Sequence, residues 1–174
     1  MGNDSETSLG DVLRREAVYQ LADVYLPRMK KCLSTLSEEE IWHRPNENTV
    51  SVGNLTLHLC GNVRQWVVSG LGNEPDIRKR SEEFSEQGPI PAEALLERLE
   101  QTIADARRVI EGLSEAELVR PRKVQDFEVN GVGVLLHVVE HFSYHLGQIT
   151  YFVKTRKNID TGYYAGVDLE PPKY

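Results

Sequence analysis

The sequence is poor in cysteine and has no long apolar run. It contains two cysteines in 174 residues, Cys32 and Cys60, and no Cys-x-x-Cys pattern joins them. Free thiols in a reducing compartment therefore fit better than a disulfide scaffold. No apolar stretch approaches membrane-spanning length, and the first residues, Met1 to Glu6, are polar and acidic rather than signal-like. We expect a cytoplasmic protein with no membrane partner.

Positive charge is also in short supply. Lys and Arg total 20 against 27 Asp and Glu, which gives a formal net charge of −7. This balance argues against binding to a phosphate backbone, which needs clustered Lys and Arg, so no nucleic-acid partner is expected. The one compact basic run, Arg78-Lys79-Arg80, is interpreted as a solvated loop, although an anionic small ligand could still use it.

The periodicity of the apolar residues is helical throughout. The length fits a single domain spanning residues 1–174. Apolar positions recur at three- and four-residue steps, which predicts four long amphipathic helices at residues 9–36, 51–71, 91–113 and 132–157. The first helix is expected to bend near Pro27, because proline lacks the N–H of one helical bond. No strand alternation competes with these periods.

The segments between these helices are short or polar. Ser37 and Ser114 each fit the start of a short capped helical turn. Residues 73–90 are rich in charge, glycine and proline, which predicts a crossover loop without regular structure, and a polar segment at 123–130 precedes the fourth helix. Residues 1–8 form a polar lead, and residues 158–174 an irregular tail draped over the helices. The sequence predicts an all-α four-helix bundle with short extra helical turns.

Three of the five histidines lie in the fourth helix at successive spacings of four: His137, His141 and His145. Residues four apart stack along one side of a helix, and two imidazoles placed in this way can converge on one metal ion. A single helical histidine is more often a hydrogen-bonded core or surface residue. Three stacked histidines on an apolar helix are harder to explain that way, because desolvating several unpaired imidazoles is costly. The stripe therefore favours a metal site, with the structural alternative left open.

A second polar stripe lies on the second helix, where His58 is accompanied by Asn54, Asn62 and Gln65. Such a stripe usually faces water. If the second and fourth helices pack side by side, however, His58 points at His141 and His145. The remaining histidine, His43, falls in a loop and is expected to face solvent.

Two zinc-protease patterns match the fourth helix incompletely. The run His141-Phe142-Ser143-Tyr144-His145 has zincin spacing, but Phe142 stands where the general-base glutamate belongs, which argues against zincin proteolysis. The run from His137 to His141 reads H-x-x-E-H, with Glu140 as a candidate base. No later helix offers the distant carboxylate ligand that this pattern needs, so it remains a weak alternative.

These motifs resemble the DinB/YfiT-like superfamily of metal-dependent enzymes. The resemblance lies in the run from Ser51 to Leu55 leading to His58, in the link from Leu36 to Pro45, and in the H-x3-H-x-G-Q signature from His141 to Gln148. It implies a bundle that holds a divalent metal, zinc or nickel, through His58, His141 and His145. His137 is the extra member of the stripe: a hydrogen-bonding partner of the ligands, an occasional ligand, or a core residue.

The resemblance also implies a small-molecule substrate and either of two chemistries. Three histidines leave an open position on the ion, which can hold the thiolate of a low-molecular-weight thiol in an S-transferase or activate water in a hydrolase. Tyr144 and Gln148 project on the same side as His141 and are candidates for binding a ligand or orienting an imidazole, as are Asn54 and Asn62. No carboxylate is clearly aimed at the metal, which tilts the choice toward transfer, because a thiolate needs less help from a base.

Other interpretations remain open at this stage. The chain could be a non-catalytic metal-binding or stress-related interaction protein in which the ion braces two helices, with His137 as a fourth ligand, or a bundle without metal. Cys60 points about 200° away from His58 on the helix, so it is proposed neither as a nucleophile nor as a ligand. Pairing into a homodimer through an apolar helix face is expected, since relatives are frequently dimers.

Overall fold

The computed structural model describes residues 7–170. Positions 1–6 of the predicted polar lead and 171–174 of the predicted tail lie outside this range.

The first long helix has three consecutive pieces: α-helical Leu9–Val18, π-helical Tyr19–Tyr25 and α-helical Leu26–Thr35. The sequence predicted a bend near Pro27, and the π-helical piece ends two residues before this proline. The wider turn lies where the missing N–H of Pro27 interrupts the regular hydrogen bonding.

The other three long helices begin and end close to the predicted bounds. The second comprises α-helical Val52–Val63 and π-helical Arg64–Ser69, the third is Ala92–Glu111, and the fourth is Gly131–Lys157. Ser51 caps the second helix. Its hydroxyl accepts from the backbone N–H of Asn54, and the side-chain oxygen of Asn54 accepts from the backbone N–H of Ser51. Asn130 caps the fourth helix through a single hydrogen bond, in which its side-chain oxygen accepts from the Gly133 backbone N–H.

The core lies between these four helices. The fourth helix contributes one apolar face to it, which includes Val138, Phe142, Leu146 and Ile149. Each large apolar side chain that is buried in this way stabilises the fold by about 1.5–3 kcal/mol. The histidine side of the fourth helix faces the second helix, which is buried around almost its entire circumference from Val52 to Cys60. The predicted all-α bundle is confirmed.

Two connections have more structure than the sequence indicated. The predicted loop at 73–90 contains a short helix, Arg80–Ser85, which packs against the second long helix; we call it the crossover helix. The polar segment before the fourth helix forms a hairpin, in which Arg122–Val124 pairs antiparallel with Phe127–Val129. Strands of three residues are too short to show alternation. The two predicted short turns are confirmed as Glu38–Trp42 and Glu115–Val119.

The tail is fixed to the bundle by one side chain. The Tyr163 hydroxyl lies 3.0 Å from the Thr150 hydroxyl on the fourth helix and 3.1 Å from the Cys32 sulfur on the first. The tail at Tyr163 therefore lies over the groove between these two helices. Within residues 7–170, no helix has both the length and the apolar character needed to cross a bilayer.

Candidate metal centre

Three histidines from two helices meet at one point. His58 comes from the second helix, and His141 and His145 come from successive turns of the fourth. One ligand nitrogen from each lies within 4.8 Å of the other two, and the Nε2 atoms of His58 and His141 are 2.9 Å apart. His58 is buried, while the other two are partly exposed. The structure thus brings together the three residues that the sequence singled out as ligands.

A carboxylate fixes the His58 ring. Nδ1 of His58 lies 2.9 Å from Oε2 of Glu83, on the crossover helix. Nη2 of Arg78 also lies 3.1 Å from this nitrogen. Because the carboxylate only accepts and its contact is the shorter one, the proton is assigned to Nδ1, which leaves the Nε2 lone pair facing His141. A metal-binding histidine is commonly held by this kind of contact on its other nitrogen.

The charge on Glu83 is itself maintained by a buried arginine. Arg78 donates from Nε to Oε1 at 2.7 Å and from Nη2 to Oε2 at 2.8 Å. Burial alone raises the pKa of Glu83, but the hydrogen bonds from Arg78 and His58 outweigh it, so the pKa lies below its usual value. Glu83 therefore stays ionised and continues to accept the His58 proton.

A second histidine is oriented by its own helix. Nδ1 of His145 lies 2.7 Å from Oε1 of Gln148, one turn later, and the Gln148 amide donates to the Tyr144 hydroxyl at 3.2 Å. The His145 ring therefore donates from Nδ1 and presents its Nε2 lone pair. Both candidate residues named from the sequence contact the His145 ring, Gln148 through this hydrogen bond and Tyr144 edge-on, with ring centroids 4.9 Å apart. Tyr144 is 62% exposed and contacts Gln148.

Two rings of the cluster, those of His141 and His145, favour the neutral form. Burial, followed by the neighbouring rings of His145 and His58, lowers the pKa of His141 to about 3. Burial also lowers the pKa of His145. Neutral imidazole is the form that binds a metal, and three such nitrogens suit zinc and several other divalent ions. The residues therefore fit a divalent ion, to which His58, His141 and His145 would supply three protein ligands.

His137 is turned away from this point. Its ring stacks on Trp66 with centroids 3.7 Å apart, and its Nε2 lies 3.3 Å from the Asn62 amide nitrogen. The Phe127 ring, on the hairpin, follows at 6.0 Å from Trp66. On the other side, His137 stacks on His141 at 5.3 Å. His137 thus belongs to an aromatic row beside the cluster, consisting of Phe127, Trp66, His137 and His141.

The other residues proposed from the sequence have structural contacts. The Asn54 amide donates to the backbone carbonyls of Glu83 and Glu86, which anchors the crossover segment. Burial raises the pKa of Cys60 to about 12, in keeping with its exclusion as a nucleophile. His43 is exposed, as expected. A cavity of 570 Å³ lies on the far side of Glu83, towards the third helix, and none of the histidines lines it.

Sequence reasoning missed Arg78 and Glu83. The interpretation of Arg78-Lys79-Arg80 as a solvated loop is wrong for Arg78, whose side chain is 5% exposed, whereas Lys79 and Arg80 are exposed. Gly61 was an available signal. Glycine inside a helix is about 1 kcal/mol less favourable than alanine, and a Cβ here would lie 1.9 Å from Oε1 of Glu83. The close approach of the crossover helix explains this glycine.

Comparisons with known proteins agree with this fold. Residues 20–160 match the sequence model of the mycothiol S-transferase family. No curated protein matches the chain. Among solved structures, a DinB-like protein from Bacillus subtilis has a TM-score of 0.64 at 15% identity, over 83% of this chain and 94% of that one. A DinB-like protein from Bacillus cereus has a TM-score of 0.65 at 13% identity, over 91% and 97%. At such identities the likeness shows the fold alone, and the predicted DinB/YfiT-like bundle is confirmed.

Proposed function

This chain belongs to the mycothiol S-transferase family, within the DinB/YfiT-like superfamily, and we propose that it transfers a low-molecular-weight thiol to a small electrophile with the help of a divalent metal. The family description makes mycothiol the first thiol to test. The observation that carries the proposal is the convergence of His58, His141 and His145, with the His58 ring held by Glu83.

A divalent ion held by three neutral nitrogens would lower the pKa of a thiol at its open position, so the thiol would lose its proton to solvent; its sulfur would then bond to the electrophile and displace the leaving group. The protein orients the histidine rings for metal binding. Glu83 and Gln148 each accept an Nδ1 proton, so His58 and His145 present their Nε2 atoms. No side chain needs to remove a proton in the transfer step itself.

The position of the carboxylate favours transfer over hydrolysis. Glu83 lies behind His58, where its oxygens are engaged by Arg78 and by the His58 ring. It is therefore a positioning residue and is poorly placed to act as a general base toward water. A thiolate nucleophile requires no such base, which favours the S-transferase over the hydrolase.

The electrophile has an apolar surface to pack on. Phe127 is 58% exposed and lies next to Trp66, in the aromatic row that leads to His141. We propose that an apolar or aromatic electrophile contacts Phe127. Phe127→Ala should then raise the KM for an aromatic electrophile about threefold to tenfold, which corresponds to partial loss of an apolar contact, and leave the metal content unchanged. An equal rise in Val119→Ala, another exposed apolar residue, would contradict this assignment.

The test combines metal content with conjugate formation. Protein purified without a metal-affinity column should contain about one divalent ion per chain, as the three-histidine arrangement implies. His58→Ala and His141→Ala should lose the ion, and His43→Ala should keep it. Mycothiol and a bimane electrophile should form a conjugate faster than the uncatalysed background only with metal-loaded protein.

Two other outcomes would identify the competing functions. Metal-dependent ester hydrolysis without conjugate formation would make the protein a hydrolase. A bound ion that raises the melting temperature but supports neither reaction would make it a metal-braced interaction protein. Failure to load the parent protein with metal would contradict the assignment of His58, His141 and His145 as metal ligands.

A further inference from the structure

A second pocket lies on the opposite side of the fourth helix from the histidines. It has a volume of 310 Å³ and is enclosed by the first helix, the fourth helix and the tail. Ser143 and Gly147 line it. At about 100° per residue they project roughly 200° and 240° around the helix from His141. The pocket is therefore separate from the candidate metal centre and can be occupied independently of it.

The charge of this pocket contrasts with that of the whole chain. Arg28 and Lys154 line it, and no carboxylate does. Within residues 7–170 neither of these cations forms an ion pair, although other bases on the same two helices do. Lys30 pairs with Glu100 at 3.7 Å and Lys157 with Glu40 at 2.5 Å. Two uncompensated positive charges thus share one concave surface of a protein whose net charge is −7.

The arginine is held in place without being neutralised. Its guanidinium carbon lies 4.8 Å from the Tyr163 ring centre and 5.2 Å from that of Tyr164. Tyr163 is fixed in turn by its hydrogen bonds to Thr150 and Cys32. Burial, followed by the hydrogen bond with Cys32, raises the pKa of Tyr163 to about 12, so its hydroxyl stays uncharged. A preorganised Arg28 loses little side-chain freedom when an anion binds.

The remaining lining offers neutral hydrogen-bonding groups. Four hydroxyl-bearing residues, Ser143, Thr150, Tyr151 and Tyr163, line the pocket with the two cations. The Thr150 and Tyr163 hydroxyls already contact each other. Two positive charges match the charge of a phosphomonoester near neutral pH, and a guanidinium binds phosphate oxygens in pairs. The hydroxyls match those of a sugar or polyol. Ligand pockets span about 300–1,000 Å³, so this one suits a small molecule.

We propose that this pocket binds a hydroxylated phosphomonoester, such as a sugar phosphate. Calorimetric titration with glucose 6-phosphate at low ionic strength tests it. The parent should show saturable binding at one site, and gluconate, a hydroxylated carboxylate of similar size, should bind at least about fivefold more weakly. Arg28→Ala and Lys154→Ala should each weaken binding about tenfold, as expected for loss of a charged hydrogen-bond partner.

Two controls make the result decisive. Lys30→Ala removes the same charge from the same helix outside the pocket and should change affinity less than about twofold. His145→Ala should bind the sugar phosphate normally, which separates this pocket from phosphate bound at the metal. Lys154 is exposed, so its alanine variant should fold even if Arg28→Ala does not. Absence of saturable binding, equal binding of gluconate, an equal loss in Lys30→Ala, or loss in His145→Ala would each overturn the proposal.

Discussion

The Nδ1 atom of His58 lies 2.9 Å from Oε2 of Glu83, although the two residues are 25 positions apart and belong to different helices. This contact fixes which nitrogen of the buried histidine faces the other two rings. It also ties the crossover helix to the candidate metal centre. The orientation of one histidine of the cluster is therefore determined by a segment that contributes no histidine to it.

Glu83→Gln should weaken metal binding about tenfold to a hundredfold, the usual cost of losing a charged partner behind a metal-bound histidine. The variant keeps the shape of the side chain but leaves the buried Arg78 without its counter-charge. Competition with a coloured chelator gives the affinity. Glu82→Gln is the matched control, because Glu82 is adjacent and 68% exposed. If both variants bind metal as the parent does, Glu83 has no positioning role.

Gly61→Ala should reduce metal affinity through the same contact. Its Cβ would lie 1.9 Å from Oε1 of Glu83 and 2.9 Å from Nε of Arg78, so the carboxylate must move away from His58. Gly147→Ala is the control, because a Cβ there has no neighbour within 4 Å. That control should keep its metal and gain up to about 1 kcal/mol of stability from helix propensity. Unchanged metal affinity in Gly61→Ala would show that the crossover helix can shift without disturbing the contact between Glu83 and His58.

The Glu40 carboxylate should contribute to stability with a defined pH dependence. Hydrogen bonds from Lys157 and from the Ser37 backbone lower its pKa from 4.5 to about 2. Since the folded-state pKa is the lower one, the contribution is present above about pH 4.5 and is lost as the pH falls toward 2. Glu40→Gln should therefore be less stable than the parent above about pH 4.5, and this difference in the free energy of unfolding should shrink as the pH falls toward 2. Urea midpoints measure it. Glu39→Gln, at the exposed neighbouring position, should track the parent; the same trend there would contradict the assignment.

Both cysteines should be unreactive in the folded protein. Cys32 and Cys60 are 1% and 3% exposed, and burial raises the pKa of Cys60 to about 12. Ellman's reagent at pH 8 should therefore label neither thiol until denaturant is added, and then both. Cys60→Ala should keep its conjugating activity, because the reacting sulfur belongs to the external thiol. Rapid labelling of native Cys60, with loss of activity, would indicate a protein nucleophile instead.

The long helices and the placement of His141 beside His145 could be predicted because both depend on local spacing. Apolar residues at helical steps defined the four helices, and a spacing of four placed His141 and His145 on one side of the last. His58 was added by the polar stripe and by the family resemblance. The single domain, the homodimer and the cytoplasmic location remain predictions.

The supporting residues could not be predicted because they depend on pairing between distant segments. The crossover helix has six residues, too few for a periodic signal, so nothing local placed Glu83 beside His58. His137 shows a different limit. Spacing put it in line with His141, but its ring stacks on Trp66, and sequence spacing does not specify a side-chain rotamer.

The most direct test of the central claim is the absorption spectrum of cobalt-substituted protein during titration with mycothiol. If His58, His141 and His145 hold the ion with one position open, a thiolate-to-cobalt charge-transfer band should appear with added thiol. It should do so well below the free thiol's pKa of about 8.5. It should be absent in His141→Ala and present in His43→Ala. Protein that binds one cobalt per chain but shows no spectral change with thiol would contradict the proposed S-transferase.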